Sequence, residues 1–214
     1  MMSDWLHGTR VPPLSIADLR DTADLIRRNS GLSPAERFPV LPFLEWTMPA
    51  LFENFDWEIV DALPDGDEAR AYPDGAPHYP DGPLIQLTQS VYDQAATNNG
   101  RNGRARFTIL HECGHVLLHQ KVSAHRRACR GADLQPFENS EWQAHQFAAE
   151  LLMPVASFSE DQEFNAYVTR MGVSREAACR RAMQLHRTMK KPVPRGWPVQ
   201  RYSSIRRGEL VMTA

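Results

Sequence analysis

The 214-residue chain lacks any run approaching 18 consecutive apolar residues, so no helix is expected to span a membrane. Its start, MMSDWLHGTRVPPLS, lacks the apolar core and the small-residue cleavage site of a secretory signal. Cysteine is scarce. Cys113, Cys129 and Cys179 are odd in number and widely spaced, which excludes a disulfide framework and a Cys-x-x-Cys zinc site. Together these absences point to a cytoplasmic protein. A large net charge is missing too, but the total of -2 hides an asymmetry. Residues 1–100 carry 6 basic and 16 acidic side chains, whereas residues 160–214 carry 11 and 5. An acidic front with a basic end can mark a nucleic-acid-binding terminus, or simply a solvated basic helix and tail.

What is present is a globular composition without internal repeats. Ser15 reads as the N-cap of an amphipathic helix carrying Ile16, Leu19, Ala23, Leu25 and Ile26, with Gly31 beyond its end. FPVLPFLEWTMPALF reads as a helix kinked or broken at Pro49. WEIVDAL and LIQLT read as strands, a Pro- and Gly-rich loop runs from Tyr72 to Pro83, a helix starts near Ser90 and NNGRNG is a turn. From Arg104 the pattern is strongly helical.

The chemistry lies in that helix. RARFTILHECGHVLLHQ contains His111-Glu112-Cys113-Gly114-His115, the pattern H-E-x-x-H. Histidines four apart on a helix differ by only about 40° in azimuth and one turn in height. Both imidazoles can therefore bind one tetrahedral zinc ion. Glu112, about a quarter-turn away, stands beside the ion as a general base for an activated water. Phe107, Ile109, Leu110, Cys113, Val116, Leu117 and Leu118 make most of the helix circumference apolar, leaving one polar strip that holds both histidines. Imidazoles facing inward from a buried helix need partners, and a metal supplies them.

A catalytic zinc takes a third protein ligand. His119 lies about 12 Å of helix rise from His111, too far for one ion, and reads as a helix-end or outer-sphere residue. Cys113 faces away from the histidine strip and reads as core, while His125 and Cys129 sit in a basic loop without a specific signal. The helix ENSEWQAHQFAAELLMP places Glu138, Glu141, His145, Ala148 and Leu152 on one face and Glu150 on the opposite one. Its small residues Ala144, Ala148 and Ala149 permit close approach to the zinc helix. Glu141 is the best candidate there, with His145 a rival ligand or an oxyanion donor, and spacing alone does not decide between them. Glu138 suits the helix N-terminus.

RARFTILHECGHVLLH followed by SEWQAHQFAAELLMP resembles the core of the ImmA/IrrE-type metallopeptidases, whose pattern is R-F-T-x-x-H-E-x-G-H-x-x-x-H and then E-x-x-A-N-x-F-A-x-x-L-L-M-P. LIQLTQSVYDQA and NAYVTRMGVSREAACRRAMQL resemble the flanking segments, so the likeness covers roughly residues 80–190. The resemblance implies His111, His115 and Glu141 as zinc ligands and Glu112 as the base. His145 departs from the pattern, standing where the family has Asn.

The resemblance further implies an α+β fold, mainly helical and zincin-like (a minimal gluzincin), with a small twisted sheet packed on the zinc-binding helix. Residues 1–70 would form a cover, 71–159 the metallopeptidase core, 160–190 a small helix-turn-helix-like segment and 191–214 a basic tail. LIQLT would be the edge strand that holds an extended peptide. His145 and Tyr92 are candidate oxyanion donors. The implied activity is zinc-dependent endoproteolysis, with Mn²⁺ or Fe²⁺ as other acceptable ions. The implied partner is a separately encoded helix-turn-helix repressor of the phage type, in a stress-response setting.

Two other functions compete. Arg175, Arg180, Arg181 and Arg187 on a second helix, with Lys190, Lys191, Arg195, Arg201, Arg206 and Arg207, would let a metal-sensing regulator bind DNA. A structural zinc protein acting as a scaffold is the third reading. Against it stands Glu112, since a structural site needs no base beside it.

Overall fold

The computed structural model describes residues 8–97, 102–120 and 134–200. His125, Cys129, Arg201, Arg206, Arg207 and most of the NNGRNG turn lie outside the described residues.

Helix α1 (Ile16–Asn29) starts at Ser15, whose side chain accepts from the Asp18 N–H while Asp18 accepts from the Ser15 N–H, a reciprocal capping box. The Pro-punctuated stretch is helical but irregular. Short α2 (Val40–Pro42) passes through a π-type stretch (Phe43–Thr47) into α3 (Met48–Leu51). Pro49 cannot donate a backbone hydrogen bond and its ring crowds the preceding turn, and the widened turn just ahead of it relieves both problems.

The sheet has three strands: β1 (Asp56–Val60), β2 (Ala69–Tyr72) and β3 (Leu84–Thr88). Their order is β1-β3-β2, with β1 parallel and β2 antiparallel to β3. One face carries Trp57, Ile85, Leu87, Ala69 and Ala71 toward the helices; the other carries the polar row Glu58, Gln86 and Arg70. LIQLT is therefore the central strand. Its backbone is bonded on both sides, so it cannot take the peptide expected of it, and the open edges belong to β1 and β2. Strand β2 falls partly where only loop was expected.

Helices α4 (Gln89–Ala96), α5 (Gly103–Leu118), α6 (Ser140–Leu152), α7 (Phe164–Met171) and α8 (Arg175–Met189) follow among the described residues. The architecture is mainly helical with a small mixed sheet, an α+β zincin-like fold. One apolar core runs through Ile85, Leu110, Phe147, Leu151, Tyr167 and Leu185. α5 and α6 pack closely at Gly114. A Cβ there would meet a Phe147 ring carbon at 3.1 Å and the Ala144 Cα at 3.2 Å, which gives the glycine inside the H-E-x-x-H pattern a packing reason. Arg106, 5% exposed, donates to the carbonyls of Phe38 (2.6 Å) and Gly172 (3.0 Å), tying α5 to the segment before α2 and to the α7–α8 turn. Gly172, at φ +62°, caps α7 in the left-handed region that a glycine tolerates.

Candidate metal centre

α5 and α6 face each other because each carries small or apolar residues along the shared side. Two histidines of α5 and one glutamate of α6 converge at that junction. His111 Nε2 lies 3.1 Å from Glu141 Oε2 and 3.1 Å from His115 Nε2, and His115 Nε2 lies 3.3 Å from Glu141 Oε1. Among the described residues, His111, His115 and Glu141 are the group of ligating side chains placed to hold a metal ion. The spacing itself tests the fit. A tetrahedral ion with bonds of roughly 2.0–2.1 Å separates its ligands by about 3.3 Å, close to the His111–His115 spacing and to the approach of each imidazole to one of the two Glu141 oxygens. The donor set points the same way. Two imidazole nitrogens and a carboxylate at such distances repel through their lone pairs unless a cation or protons lie among them. The residues fit a divalent metal.

Each donor is set by its helix. Glu141 sits in the first turn of α6, where Asn139 caps the helix by accepting from the N–H groups of Glu141 and Trp142 at 2.9 and 3.2 Å. Burial pushes the Glu141 carboxyl up, and attraction and hydrogen bonds from His115 and His111 outweigh this, leaving it below the ordinary carboxylate range. His111 packs against Phe107, with ring centroids 6.4 Å apart, and its buried Nδ1 has no hydrogen-bond partner. His115 differs: its Nδ1 lies 3.1 Å from His119 Nδ1. His119 caps the end of α5 and does not join the triangle, as its distance along the helix required.

Glu112 is 9% exposed and lies beside the triangle. Burial raises its carboxyl to about 7; the nearby His111 lowers it, Glu141 raises it, and the Ala71 N–H lowers it by donating to it. The partner on β2 follows from the ladder. Thr88 N donates to the Glu68 carbonyl, so in the alternating antiparallel pattern Arg70 and Tyr72 bond to β3, while Ala69 and Ala71 present their backbone groups on the open edge. The free edge of β2 thus runs alongside Glu112. Sequence reasoning missed this strand, since A-R-A-Y is short and alternates only alanine with larger polar residues, without the β-branched run that announces a strand.

The other sequence candidates separate. His145 packs between Phe107 (ring centroids 4.7 Å) and His111 (6.5 Å) and stays outside the ligand triangle. Burial lowers its imidazole to about 3, helped by His111 and Arg180, so it stands there neutral. The Tyr92 hydroxyl donates to Glu45 at 2.7 Å and its ring stacks on Trp57, so the structure does not bring it to the triangle. Cys113 is fully buried in the core, as expected. Glu150 faces away from the triangle, as its wheel position required, and takes Arg181 and Arg20 as partners.

The burial of Arg181 removes it from the DNA-binding role considered for it. It is 2% exposed, paired with Glu150 and donating to the Met153 carbonyl, so it anchors α8 to α6 rather than facing a ligand. Arg180 bonds Glu176 one turn back, and Arg175 lies over Phe164 and bonds Asn165. Val173, Ala178 and Cys179 on the same helix pair are buried in the core.

Residues 97–183 match the Peptidase_M78 family model, described as the IrrE N-terminal-like domain. That stretch is similar to an IrrE N-terminal-like domain. The match starts just before α5 and ends within α8, so it includes the whole triangle and Glu112. A Mycobacterium tuberculosis transcriptional regulator has a similar fold, with a TM-score of 0.50 and 19% sequence identity over 82% of this chain. The aligned part is 49% of that regulator's own length, so this chain spans about half of it. No curated protein matches the chain. The match to a metallopeptidase family accords with His111, His115 and Glu141 being placed to hold a metal. Among the described residues no helix is long and apolar enough to cross a membrane.

Proposed function

We propose that the protein is a zinc-dependent endopeptidase whose substrate is a helix-turn-helix transcriptional regulator of the phage-repressor kind. One observation carries the reading: a metal-sized triangle of His111, His115 and Glu141 with a buried, near-neutral carboxyl, Glu112, beside it. A structural metal site has no use for such a base. A bound zinc ion would polarise the scissile carbonyl and make the attacking water more acidic.

The chain's own residues supply the rest. Glu112 takes the proton from the attacking water as its oxygen bonds to the carbonyl carbon. It then gives that proton to the amide nitrogen as the carbon–nitrogen bond breaks, leaving a carboxylic acid and an amine. Burial raises this carboxyl above the ordinary carboxylate range, which favours its giving the proton back after taking it. The open backbone groups of Ala69 on β2 would hold an extended substrate segment by strand addition, with the scissile bond then running past Glu112. His145, packed against a ligand, is the better placed of the two oxyanion candidates; Tyr92 would first have to leave Glu45.

The regulator as substrate follows from the resemblance and is in keeping with the regulator of similar fold. Co-expression with helix-turn-helix repressors encoded beside this gene tests it. The wild type is expected to cleave one of them, and Glu112→Gln to keep its metal and leave the same repressor intact. If the wild-type protein, shown to hold zinc, leaves every such repressor whole, the repressor reading is wrong.

A further inference from the structure

We propose that Gln143 and His119 are positioning residues for His115, and that residues 8–14 form the fixed end of this chain of hydrogen bonds. The inference rests on the metal-centre reading and deepens it.

Two carbonyls that can only accept fix this chain of bonds from its outer end. Gln143 Nε2 lies 2.8 Å from the Pro12 carbonyl and 2.7 Å from the Phe137 carbonyl, so its two hydrogens are both spoken for and the amide can face only one way. Its Oε1 is then an acceptor, 3.1 Å from His119 Nε2, and that nitrogen must carry a hydrogen. A neutral imidazole with its hydrogen on Nε2 has a bare Nδ1. His119 Nδ1 therefore accepts, and the group 3.1 Å away, His115 Nδ1, must donate. With its hydrogen on Nδ1, His115 turns a bare Nε2 toward His111 and Glu141. That is the tautomer a metal ligand needs, and the same bonds fix the rotation of the ring.

Burial argues that the chain is there for this purpose. Gln143 is 0% exposed and His119 5% exposed, positions where an apolar side chain would satisfy packing without desolvating an amide and an imidazole. The outer end is held as well. Thr9 and Ser140 exchange two hydrogen bonds of 3.0 Å, and Val11 and Leu14 donate to the carbonyls of Glu138 and Phe137 at 2.9 Å. Residues 8–14 are thus stitched to the segment leading into α6, the helix that carries both Glu141 and Gln143. His111 has no comparable support, since its Nδ1 is without a partner.

The test uses the full chain and three variants: Gln143→Met, His119→Phe and His119→Asn, the last keeping an oxygen close to the place of the ring Nδ1. Zinc affinity is read by competition with a chelator, and the site by the visible spectrum of the cobalt(II) protein. Gln143→Met and His119→Phe are each expected to weaken zinc binding 10- to 100-fold and to alter the cobalt spectrum, and His119→Asn to recover most of the loss. Nitrogen-15 NMR of the metal-free protein gives a readout independent of metal: His115 is expected as the Nδ1–H tautomer in the wild type and as a mixture in His119→Phe. If the wild type binds one zinc and the variants bind it equally well with unchanged spectra, or if His119→Asn is no better than His119→Phe, the positioning role is refuted and the metal centre stands. If the wild type itself binds no zinc, the metal-centre reading fails and this inference falls with it. Should His119→Phe fail to fold, Gln143→Met and the wild-type tautomer decide the question.

Discussion

Helix α6 carries two carboxylates on opposite faces, and they have been put to different uses. Glu150 is 1% exposed and surrounded by side chains whose charge and hydrogens are permanent: the guanidinium groups of Arg181 and Arg20, and the amide of Gln146. Glu141 meets two imidazoles, groups that donate or accept according to where one proton sits. A carboxylate closed in by guanidinium has nothing left to bind, so Glu150 is a fastener between α1, α6 and α8. A carboxylate sharing a point with two imidazole lone pairs has a place for a cation, so Glu141 belongs to a site. The amino acid is the same, and the partners decide what it does.

The contrast is best broken by exchanging the losses. Glu150→Ala leaves Arg181 buried without its anion and is expected to cost roughly 3–5 kcal/mol of stability, read by denaturant unfolding of metal-free protein, while zinc affinity stays within a few-fold of wild type. Glu141→Ala is expected to do the reverse. Zinc affinity falls by a factor of roughly a hundred to a thousand, about 3–4 kcal/mol, in chelator competition, and metal-free stability does not fall. A Glu150→Ala protein that folds as well as wild type but loses zinc would erase the distinction.

A smaller effect concerns Glu112, the carboxyl with no fixed cation. Its folded-state value of about 7 lies above the ordinary 4.5, so below the ordinary value both folded and unfolded states hold the proton and nothing is lost. Above the ordinary value the unfolded chain gives up the proton while the folded protein still holds it, so stability declines as pH rises toward 7 and levels off once the folded group has ionised. Glu112→Gln removes that penalty. In metal-free protein it is expected to match wild type near pH 4 and to exceed it near pH 9, by on the order of 2–3 kcal/mol. A variant equal to wild type at both pH values would show that this carboxyl is not held at such a value. The smallest effect is on the surface. Arg180→Ala, removing the pair with Glu176 one turn along α8, is expected to cost under about 1 kcal/mol in the same unfolding measurement, against several for its buried neighbour Arg181.

These differences explain what could be read from the chain. The Ser15 box and the histidine spacing of α5 are local, set by chain geometry within one or two turns, and both are present in the structure. The small face of α6 correctly announced close approach, with Gly114 as its counterpart. Arg181 was misread because a cation four residues from helical neighbours looks solvated until Glu150, 31 residues away, is brought against it. Strand β2 was missed because its only argument for being a strand is β3. Gln143 gave no signal, since Pro12 lies 131 residues earlier in the chain.

The sequence by itself determined that two histidines share one face of α5, that a carboxyl stands between them and which helix could bring a third donor, because a helix converts spacing into direction without outside help. Only the tertiary structure decided which strand lies open beside Glu112, which arginine is buried, and which way the Gln143 amide faces. Those depend on groups far apart in the chain meeting at hydrogen-bond distance, and a periodic pattern carries no record of such meetings.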